Sequence, residues 1–179
     1  MKIFLTGGTG FIGSHFLKQA LGDGHSVVAL RRSASSTPRI PLPQQPIWLE
    51  RQLDEVRVEE LKGCEVLVHF AAHSVQYPFD TLGNCLRWNL MAVLVLFEQA
   101  RLAGIRSFVV AGSCFEYGRS GERYEAIPTD APLEPSNSYA ASKAAASIAL
   151  SQWCMEHQLS LDLLRVFHVY GEGEAHTRF

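Results

Sequence analysis

The sequence predicts an α/β protein built on a doubly wound parallel sheet, and three observations support this fold class. Short apolar runs recur along the whole chain and read as strands that are covered on both faces. Amphipathic or apolar helical patterns separate these runs. The first run, residues 3–5, leads into a glycine-rich turn inside which a helical pattern begins. Strands that alternate with helices in this way form parallel sheets with helices on both faces.

The first turn, residues 6–13 (TGGTGFIG), has the composition of a dinucleotide-binding turn. Such a turn needs a glycine with positive φ, a glycine that lets a pyrophosphate approach the backbone, and a glycine that lets helix pack on strand. Gly8, Gly10 and Gly13 fit this spacing. The N–H groups and dipole of the following helix would then face the diphosphate. The alternative is a purely structural glycine turn.

The remaining elements follow from apolar patterns and from glycine and proline stops. We predict that the first helix ends at Leu21, before Gly22-Asp23-Gly24, and that residues 33–46, rich in Ser, Pro and Gln, form a loop. The helix at 84–103 is apolar around most of its circumference, which predicts burial on more than one side. Further strands are expected at 25–30, 47–49, 65–70, 108–110 and 161–166, and further helices around 56–61 and from residue 139.

Length and composition restrict the class of protein. A chain of 179 residues predicts one domain, 1–179. Hydrophobic residues at 47% and a net charge of -2 argue against disorder and against a nucleic-acid partner. Four scattered cysteines without a metal-like cluster predict reduced thiols, no metal site and a cytoplasmic location. The longest apolar region, 86–97, is shorter than the roughly 20 residues a bilayer requires, so we expect no membrane partner.

The residues after the second predicted strand bear on cofactor choice. A site for NAD(H) usually has Asp or Glu there to hold the ribose 2'-hydroxyl, whereas this chain has Arg31-Arg32. An arginine can pair with a 2'-phosphate, so the sequence favours NADP(H) over NAD(H). The alternative is that both arginines are ordinary surface charges.

A second group of residues predicts acid–base chemistry. Tyr139 and Lys143 lie four apart at the start of a predicted helix, which places both side chains on one face. A lysine ammonium near a phenol lowers the tyrosine pKa from its ordinary value of about 10 and makes it usable as a general acid or base. Ser113, near the end of the fifth strand, would lie at the same sheet edge as the glycine turn and could hold a substrate oxygen.

Taken together, these motifs resemble the short-chain dehydrogenase/reductase superfamily, in particular its extended branch of NAD(P)-dependent epimerases, dehydratases and reductases that act mainly on nucleotide sugars. The resemblance covers nearly the whole chain. It is carried by the motifs TGGTGFIG at 6–13, HFAA at 69–72, Asn89, GSCFEYG at 112–118, Tyr139 with Lys143, and RVFHVYG at 165–171.

The resemblance implies a Rossmann fold and a set of site residues. Tyr139 would exchange a proton with a sugar hydroxyl or keto oxygen, Lys143 would bind the nicotinamide ribose, and Ser113 would hydrogen-bond the reacting oxygen, so the implied catalytic residues are Ser113, Tyr139 and Lys143. The residues assigned to cofactor binding are Gly7, Gly10, Phe11, Ile12, Gly13, Arg31, Arg32, Gln52, Leu53, Phe70, Ala71, Ala72, Asn89, Tyr139, Lys143, Val166 and His168.

Several departures from the family pattern narrow these expectations. The sugar 4,6-dehydratases carry an Asp-Glu pair where this chain has Cys114-Phe115, so 4,6-dehydration is not expected, and we expect Glu116 to point away from the site. The family often has Asn at the position of His168, and an acidic residue that contacts adenine at the position of Gln52. Members usually continue beyond the sixth strand into a small C-terminal substrate domain, whereas this chain ends at Phe179, so we expect that domain to be absent.

Two functions remain open from the sequence. The first is an NAD(P)-dependent reductase or epimerase on a nucleotide sugar, with the reductase favoured slightly by Arg31-Arg32. The second is a dinucleotide-binding sensor without turnover, against which the intact Ser113, Tyr139 and Lys143 argue. We also expect a homodimer through the helices at 84–103 and 139–157, because the family commonly pairs there and the alanines of the second helix permit close packing.

Overall fold

A computed structural model describes residues 1–175 as a six-stranded parallel sheet with helices on both faces. The sheet order is β3-β2-β1-β4-β5-β6, and every neighbouring pair is parallel. Strands 1 to 3 are added towards one edge and strands 4 to 6 towards the other, so the switch point lies between β1 and β4. The strands are β1 (Lys2–Thr6), β2 (Ser26–Arg31), β3 (Ile47–Glu50), β4 (Val66–His69), β5 (Ser107–Ser113) and β6 (Ser160–Val166), and the α-helices are α1 (Phe11–Gly22), α2 (Val58–Leu61), α3 (Leu82–Leu86), α4 (Ala92–Leu102) and α5 (Ser138–Glu156). The predicted doubly wound sheet, a Rossmann fold, is confirmed.

Two apolar clusters hold the helices onto the sheet. On one face, Phe4, Leu67 and Phe108 pack with residues of α2, α4 and α5. On the other face, side chains of β1, β2 and β4 pack against the apolar side of α1. The interior strands are therefore apolar on both faces, as in β2, whose central four residues are all buried.

The predicted 84–103 helix is interrupted by a π-helical turn. The structure has α3, a π turn at Arg87–Met91 and then α4, so that the helical path runs from Leu82 to Leu102. The N-terminus is capped by the Thr81 side chain, which accepts the Asn84 N–H at 3.3 Å, and Gly104 follows the end with a φ of 94°. A π turn inserts one extra residue into a helix, which the apolar pattern alone does not reveal.

α5 starts because the side chain of Asn137 caps it, accepting the Ala140 N–H at 2.8 Å. Its small residues face inward: Ala140, Ala144 and Ala146 are all buried within the chain itself. The expectation that these alanines serve close packing with a second subunit is therefore wrong for these three residues. β5 is also longer than predicted, because the strand continues from Ser107 through Ser113.

Among the described residues, no helix combines the length and apolar character needed to cross a bilayer. Within the described part of the chain no disulfide forms, and Cys64, Cys85 and Cys154 are buried while Cys114 is half-buried.

The glycine turn between β1 and α1 uses a different glycine from the one expected. The residue with positive φ is Gly7, at 77°, and not Gly8. Gly10 is the N-cap of α1 in an extended conformation, and a Cβ at Gly13 would lie 2.0 Å from the carbonyl oxygen of Gly7. The turn is therefore built on Gly7, Gly10 and Gly13, which corrects the predicted Gly8, Gly10, Gly13 spacing.

Gly13→Ala is expected to lower the free energy of unfolding by about 1–3 kcal/mol, because the added methyl group would force the α1 backbone away from Gly7. Gly22→Ala, in the same helix, is the matched control, because nothing lies within 4 Å of the added methyl group. This control is expected to be neutral or to stabilise by about 0.4–1 kcal/mol. Urea unfolding monitored by circular dichroism measures both variants, and equal stabilities of the two would contradict the proposed contact.

Candidate functional site

The carboxyl ends of all six strands meet at one edge of the sheet, because every pair of neighbours is parallel. Gly7 directly follows β1, Phe70 follows β4, and Ser113 ends β5. Arg31 and Val166 end β2 and β6 at the same edge. The fold thus places residues predicted from distant motifs along one line, which is where open α/β sheets bind ligands.

The backbone at the glycine turn lies directly on the segment after β4. A Cβ at Gly7 would lie 2.5 Å from the Ala71 nitrogen and 2.6 Å from the Phe70 carbonyl carbon. Gly10 donates its N–H to the Gly7 carbonyl at 2.9 Å, and the turn then enters α1 with Phe11 and Ile12 half-buried. The result is a side-chain-free cradle at a helix N-terminus, a geometry that fits a pyrophosphate. The dinucleotide predicted from the sequence therefore fits the residues that are present.

Three buried polar residues whose contacts the sequence analysis missed support the turn. Ser14 Oγ donates to the Gly10 carbonyl at 2.6 Å and accepts the Arg39 N–H at 2.9 Å, so it joins the turn to the 33–46 loop. Thr6 Oγ1 and His69 Nδ1 are 2.7 Å apart and link the ends of β1 and β4. A polar residue inside an apolar strand or helix was the only sequence signal for either contact.

Arg31 and Arg32 differ in their surroundings. The Arg31 guanidinium pairs with Glu50 at 2.7 Å and lies 4.9 Å from the centre of the Trp48 ring. Two residues of the adjacent strand β3 therefore hold it. Arg32 is exposed. In this structure Arg31 is engaged by Glu50 and Trp48, and the assignment of both arginines to cofactor binding stays a prediction.

The residues after β3 have local roles in the structure. Gln52 is exposed. Its main-chain N–H donates to Glu55 Oε2 at 3.0 Å, at the start of a short 3₁₀ turn. Leu53 packs against the apolar cluster on the α4 side of the sheet. Both residues lie within three positions of the end of β3 at Glu50, and their assignment to cofactor binding stays a prediction.

Asn89 lies in the π turn and clamps two segments of the site. Its Oδ1 accepts the His73 N–H at 2.7 Å, and its Nδ2 donates to the His73 carbonyl at 3.1 Å and to Ser142 Oγ at 2.9 Å. The Ser142 hydroxyl donates in turn to the Tyr139 carbonyl at 2.7 Å. Asn89 thus fixes the Ala71-Ala72-His73 segment against the start of α5, and both of its amide protons are used within the protein.

His73 has a structural role in this arrangement. Its Nε2 lies 2.8 Å from Asp80 Oδ2, and the Asp80 carboxylate also accepts the Thr81 N–H at 2.6 Å. These hydrogen bonds, first from His73, hold the pKa of Asp80 down to about 2. The loop between β4 and α3 is therefore tied at both of its ends.

Ser113, Tyr139 and Lys143 are brought together as predicted at the end of β5. All three residues are buried: the relative exposure is 7% for Ser113, 7% for Tyr139 and 3% for Lys143. Lys143 Nζ donates to the Ala111 carbonyl at 2.7 Å, two residues before Ser113 on the same strand. Ser113 Oγ accepts the Phe115 N–H at 3.2 Å, and the Phe115 ring meets the Tyr139 ring edge-on at 6.3 Å between centroids. One serine hydroxyl, one phenol and one amine thus lie within a short stretch of the sheet edge.

Burial sets the charge of the two basic groups at this edge. Burial lowers the pKa of Lys143 to about 8, an effect that the negative charge of Glu116 opposes. Burial and the Lys143 charge together lower the pKa of His69 to about 3, so His69 is neutral near pH 7. Lys143 is therefore the cation at this part of the edge, and it titrates close to the physiological range.

Aromatic rings surround Tyr139. The Phe79 ring stacks on it at 6.0 Å with an interplanar angle of 11°, and Phe115 lies between Tyr139 and His168. Phe115 occupies one of the two positions at which the sugar 4,6-dehydratases are expected to carry a carboxylate. His168 is exposed and Val166 is half-buried, both at the end of β6.

Glu116 does not point to the surface. It is fully buried, and its Oε2 accepts the Arg165 Nε–H at 2.9 Å. A Cβ at Gly112 would lie 2.7 Å from Glu116 Oε1, so the glycine makes room for this carboxylate. That Glu116 points away from the site stays a prediction, and the ion pair with Arg165 was not predicted from the sequence.

The segment after β6 returns to the glycine turn. His15 Nε2 lies 2.8 Å from the Glu172 carbonyl oxygen, and a Cβ at Gly171 would meet the Phe11 ring at 3.6 Å. The chain therefore passes from β6 back across the N-terminal end of α1. Residues 176–179, which include the chain end at Phe179, lie outside the described residues.

A 3-2-1-4-5-6 parallel sheet with this cradle, and with a serine, a tyrosine and a lysine beside it, defines an extended short-chain dehydrogenase/reductase. Comparison with known proteins agrees. The chain belongs to the NAD dependent epimerase/dehydratase family, whose model matches residues 3–179.

Several relatives are named for activity on nucleotide sugars. The chain is 29% identical over 174 residues to UDP-glucose 4-epimerase of Corynebacterium glutamicum, covering 96% of this chain and 52% of that enzyme. It is 29% identical over 185 residues to dTDP-glucose 4,6-dehydratase of Streptomyces niveus, covering 96% of this chain and 54% of that enzyme. Among solved structures, MoeE5 in complex with UDP-glucose and NAD matches with a TM-score of 0.80 and 29% identity, over 98% of this chain and 57% of MoeE5. The chain thus spans about half the length of these relatives.

Proposed function

We propose that this chain carries the dinucleotide-binding and acid–base half of a nucleotide-sugar oxidoreductase or epimerase. The observation that supports this most is that Ser113, Tyr139 and Lys143 are buried near the end of β5, at the same sheet edge as the cradle of Gly7, Gly10 and Gly13. The bound dinucleotide would accept or supply a hydride at a sugar carbinol or keto carbon. The protein side chains would bind, orient and move protons.

Each side chain has a role that its surroundings support. Tyr139 exchanges the proton of the sugar hydroxyl or keto oxygen, because it is a phenol next to a buried cation. Lys143, held by the Ala111 carbonyl, keeps its charge at the cofactor side of Tyr139. Ser113 hydrogen-bonds the reacting oxygen from the end of β5. Phe79 and Phe115 exclude water from the Tyr139 ring.

The relatives favour an epimerase more than the sequence did. The preference for a reductase rested on two arginines, and Glu50 engages one of them. With Phe115 in place of a carboxylate, 4,6-dehydration stays outside the proposal. An epimerase returns the hydride and consumes no cofactor, whereas a reductase oxidises one NAD(P)H per sugar, so cofactor absorbance during turnover separates the two.

Tyr139→Phe is expected to lower kcat by roughly 10²–10⁴-fold, because a positioned general acid or base contributes about that much. The assay follows the full-length protein with NAD(P)H or NAD(P)⁺ and a panel of 4-keto and 4-hydroxy nucleotide sugars. Tyr124→Phe is the control, because Tyr124 is 38% exposed and lies outside the cluster around Tyr139. Turnover that survives Tyr139→Phe would exclude the mechanism. Dinucleotide binding without turnover in any pairing would instead favour the sensor.

The preference for NADP(H) depends on Arg32. The family description and the MoeE5 complex name NAD, and Arg31 is held by Glu50 and Trp48. We propose that Arg32, which is exposed directly after β2, pairs with a 2'-phosphate.

Arg32→Ser is expected to reduce the ratio of NADPH to NADH affinity by roughly tenfold or more, since a hydrogen bond to a charged group is worth about 1.5–3 kcal/mol. Arg31→Ser is the matched neighbour. It should cost stability through loss of the Glu50 pair and leave that ratio unchanged. Fluorescence titration with both cofactors measures the ratio. If the parent protein binds NADH more tightly than NADPH, the proposed preference for NADP(H) is contradicted.

We propose a homodimer through the 84–103 and 139–157 helices. Exposed apolar side chains on both helices support it, because Met91, Val95 and Leu102 are 57%, 42% and 55% exposed and Ile148 and Met155 are 63% and 71% exposed.

Ile148→Glu is expected to convert the dimer to a monomer at micromolar concentration, because it places a charge in the proposed apolar interface. Leu164→Glu is the control, since Leu164 is 46% exposed and lies on β6 and not on either helix. Sedimentation velocity distinguishes the species, and a parent protein that is already monomeric would refute the assembly.

A further inference from the structure

The Glu116 carboxylate connects three elements beneath the proposed catalytic residues. It lies in the 3₁₀ turn Cys114–Glu116 that follows β5 and is fully buried. Its Oε1 accepts the Ser113 N–H at 2.7 Å, while its Oε2 accepts from Ser147 Oγ on α5 at 2.7 Å and from Arg165 Nε on β6 at 2.9 Å. Every one of these contacts is made inside the protein.

The ion pair is more elaborate than stability requires. Arg165 is fixed on its other side by the Tyr117 hydroxyl at 3.1 Å and the Thr129 carbonyl at 2.8 Å. Burying two charges costs several kcal/mol per ion before they attract each other, and apolar residues of similar volume often stabilise equally well. Stability alone therefore does not account for a buried carboxylate at this position. We look for its role in the groups that the carboxylate contacts.

One consequence concerns Ser113. Oε1 holds the main-chain N–H of Ser113, and the Ser113 hydroxyl accepts the Phe115 N–H at 3.2 Å, so the backbone on both sides of the hydroxyl is fixed by one turn. Ser113 is thereby kept in an extended conformation with φ -147° and ψ 141°. A hydroxyl that must meet a substrate oxygen depends on such a support.

The second consequence concerns Lys143. Ser147 lies one turn after Lys143 on the same face of α5, so the carboxylate that Ser147 binds also faces Lys143. The titratable or charged groups around Lys143 are Glu116 after β5, neutral His69 on β4, Tyr139 one turn earlier on α5, and Arg165, whose charge Glu116 balances. Glu116 is the anion of this set, and its charge opposes the loss of the Lys143 proton.

We propose that Glu116 is a positioning residue that fixes the Ser113 main chain and keeps Lys143 protonated. This inference rests on the proposed roles of Ser113 and Lys143. In this inference Glu116 does not contact substrate or cofactor, because its carboxylate oxygens accept hydrogen bonds from Ser113, Ser147 and Arg165.

Nuclear magnetic resonance tests the inference on the free chain, without cofactor or substrate. The chain has four lysines, so [¹³Cε]lysine labelling gives four signals, and Lys143→Arg identifies the one from Lys143. In the parent protein that signal should titrate near pH 8. Glu116→Gln is expected to lower this pKa further, by roughly half a unit or more, and to move the Ser113 amide proton upfield as its charged partner is lost.

Three further variants separate positioning from packing. Ser147→Ala removes one hydrogen bond but keeps the charge, so the Lys143 pKa should hold. Glu98→Gln removes another arginine-paired carboxylate, from α4, and should change neither signal. Glu116→Asp keeps the charge on a shorter side chain, so the Lys143 pKa should hold while the Ser113 amide moves.

The outcomes are distinct. A folded Glu116→Gln protein whose Lys143 titration and Ser113 amide both match the parent would overturn the inference. If Glu116→Gln does not fold, an unmoved Ser113 amide in Glu116→Asp would overturn it instead. Because these measurements need neither a dinucleotide nor turnover, a failed binding or activity assay counts against the proposed function and leaves this inference to be judged by its own result.

Discussion

The close approach of bare backbone at the first turn is the constraint on which the rest of the site depends. Gly7 lies against the Phe70–Ala71 peptide, and Gly13 lies against the carbonyl of Gly7, with no room for a methyl group at either place. These contacts bring the N-terminal end of α1 onto the segment that follows β4. From there, Asn89 joins that segment to the start of α5, where Tyr139 and Lys143 are found. The glycine turn and the Tyr139–Lys143 pair, from distant parts of the chain, are thus positioned by one series of contacts.

Electrostatics at this edge is controlled by depth. Burial disfavours the charged form of Lys143 and lowers its pKa to about 8, and the same effect lowers the pKa of His69 to about 3, so His69 is neutral near pH 7. The nearby carboxylate of Glu116 offsets part of the cost, while Arg165 compensates that carboxylate on the far side. The site therefore combines one cation near its titration point with a buried ion pair, and the residues facing the solvent around Tyr139 are aromatic.

Much of this could be predicted from the sequence because the signals were local. Apolar runs between glycines gave the six strands, and the four-residue spacing of Tyr139 and Lys143 placed both on one helical face. The other features depend on contacts between distant positions. The pairing of Arg31 with Glu50 follows from β2 lying beside β3, and the π turn around Asn89 follows from packing. No periodicity in the sequence encodes either one, and the choice between Gly7 and Gly8 depended on where the chain turns.

The buried carboxylate at Glu116 also constrains a residue four positions earlier. A methyl group at residue 112 would lie 2.7 Å from Glu116 Oε1, so only glycine leaves the oxygen in place on the Ser113 N–H. The identities of these two positions are therefore linked. A homologue that replaces the glutamate with a small apolar residue loses this contact and keeps the milder ones to Arg165 Cγ at 3.2 Å and to the Leu164 carbonyl oxygen at 3.4 Å, whereas one that keeps the glutamate in this pose requires glycine. Covariation of positions 112 and 116 among relatives would record how widely this support beneath the serine is used.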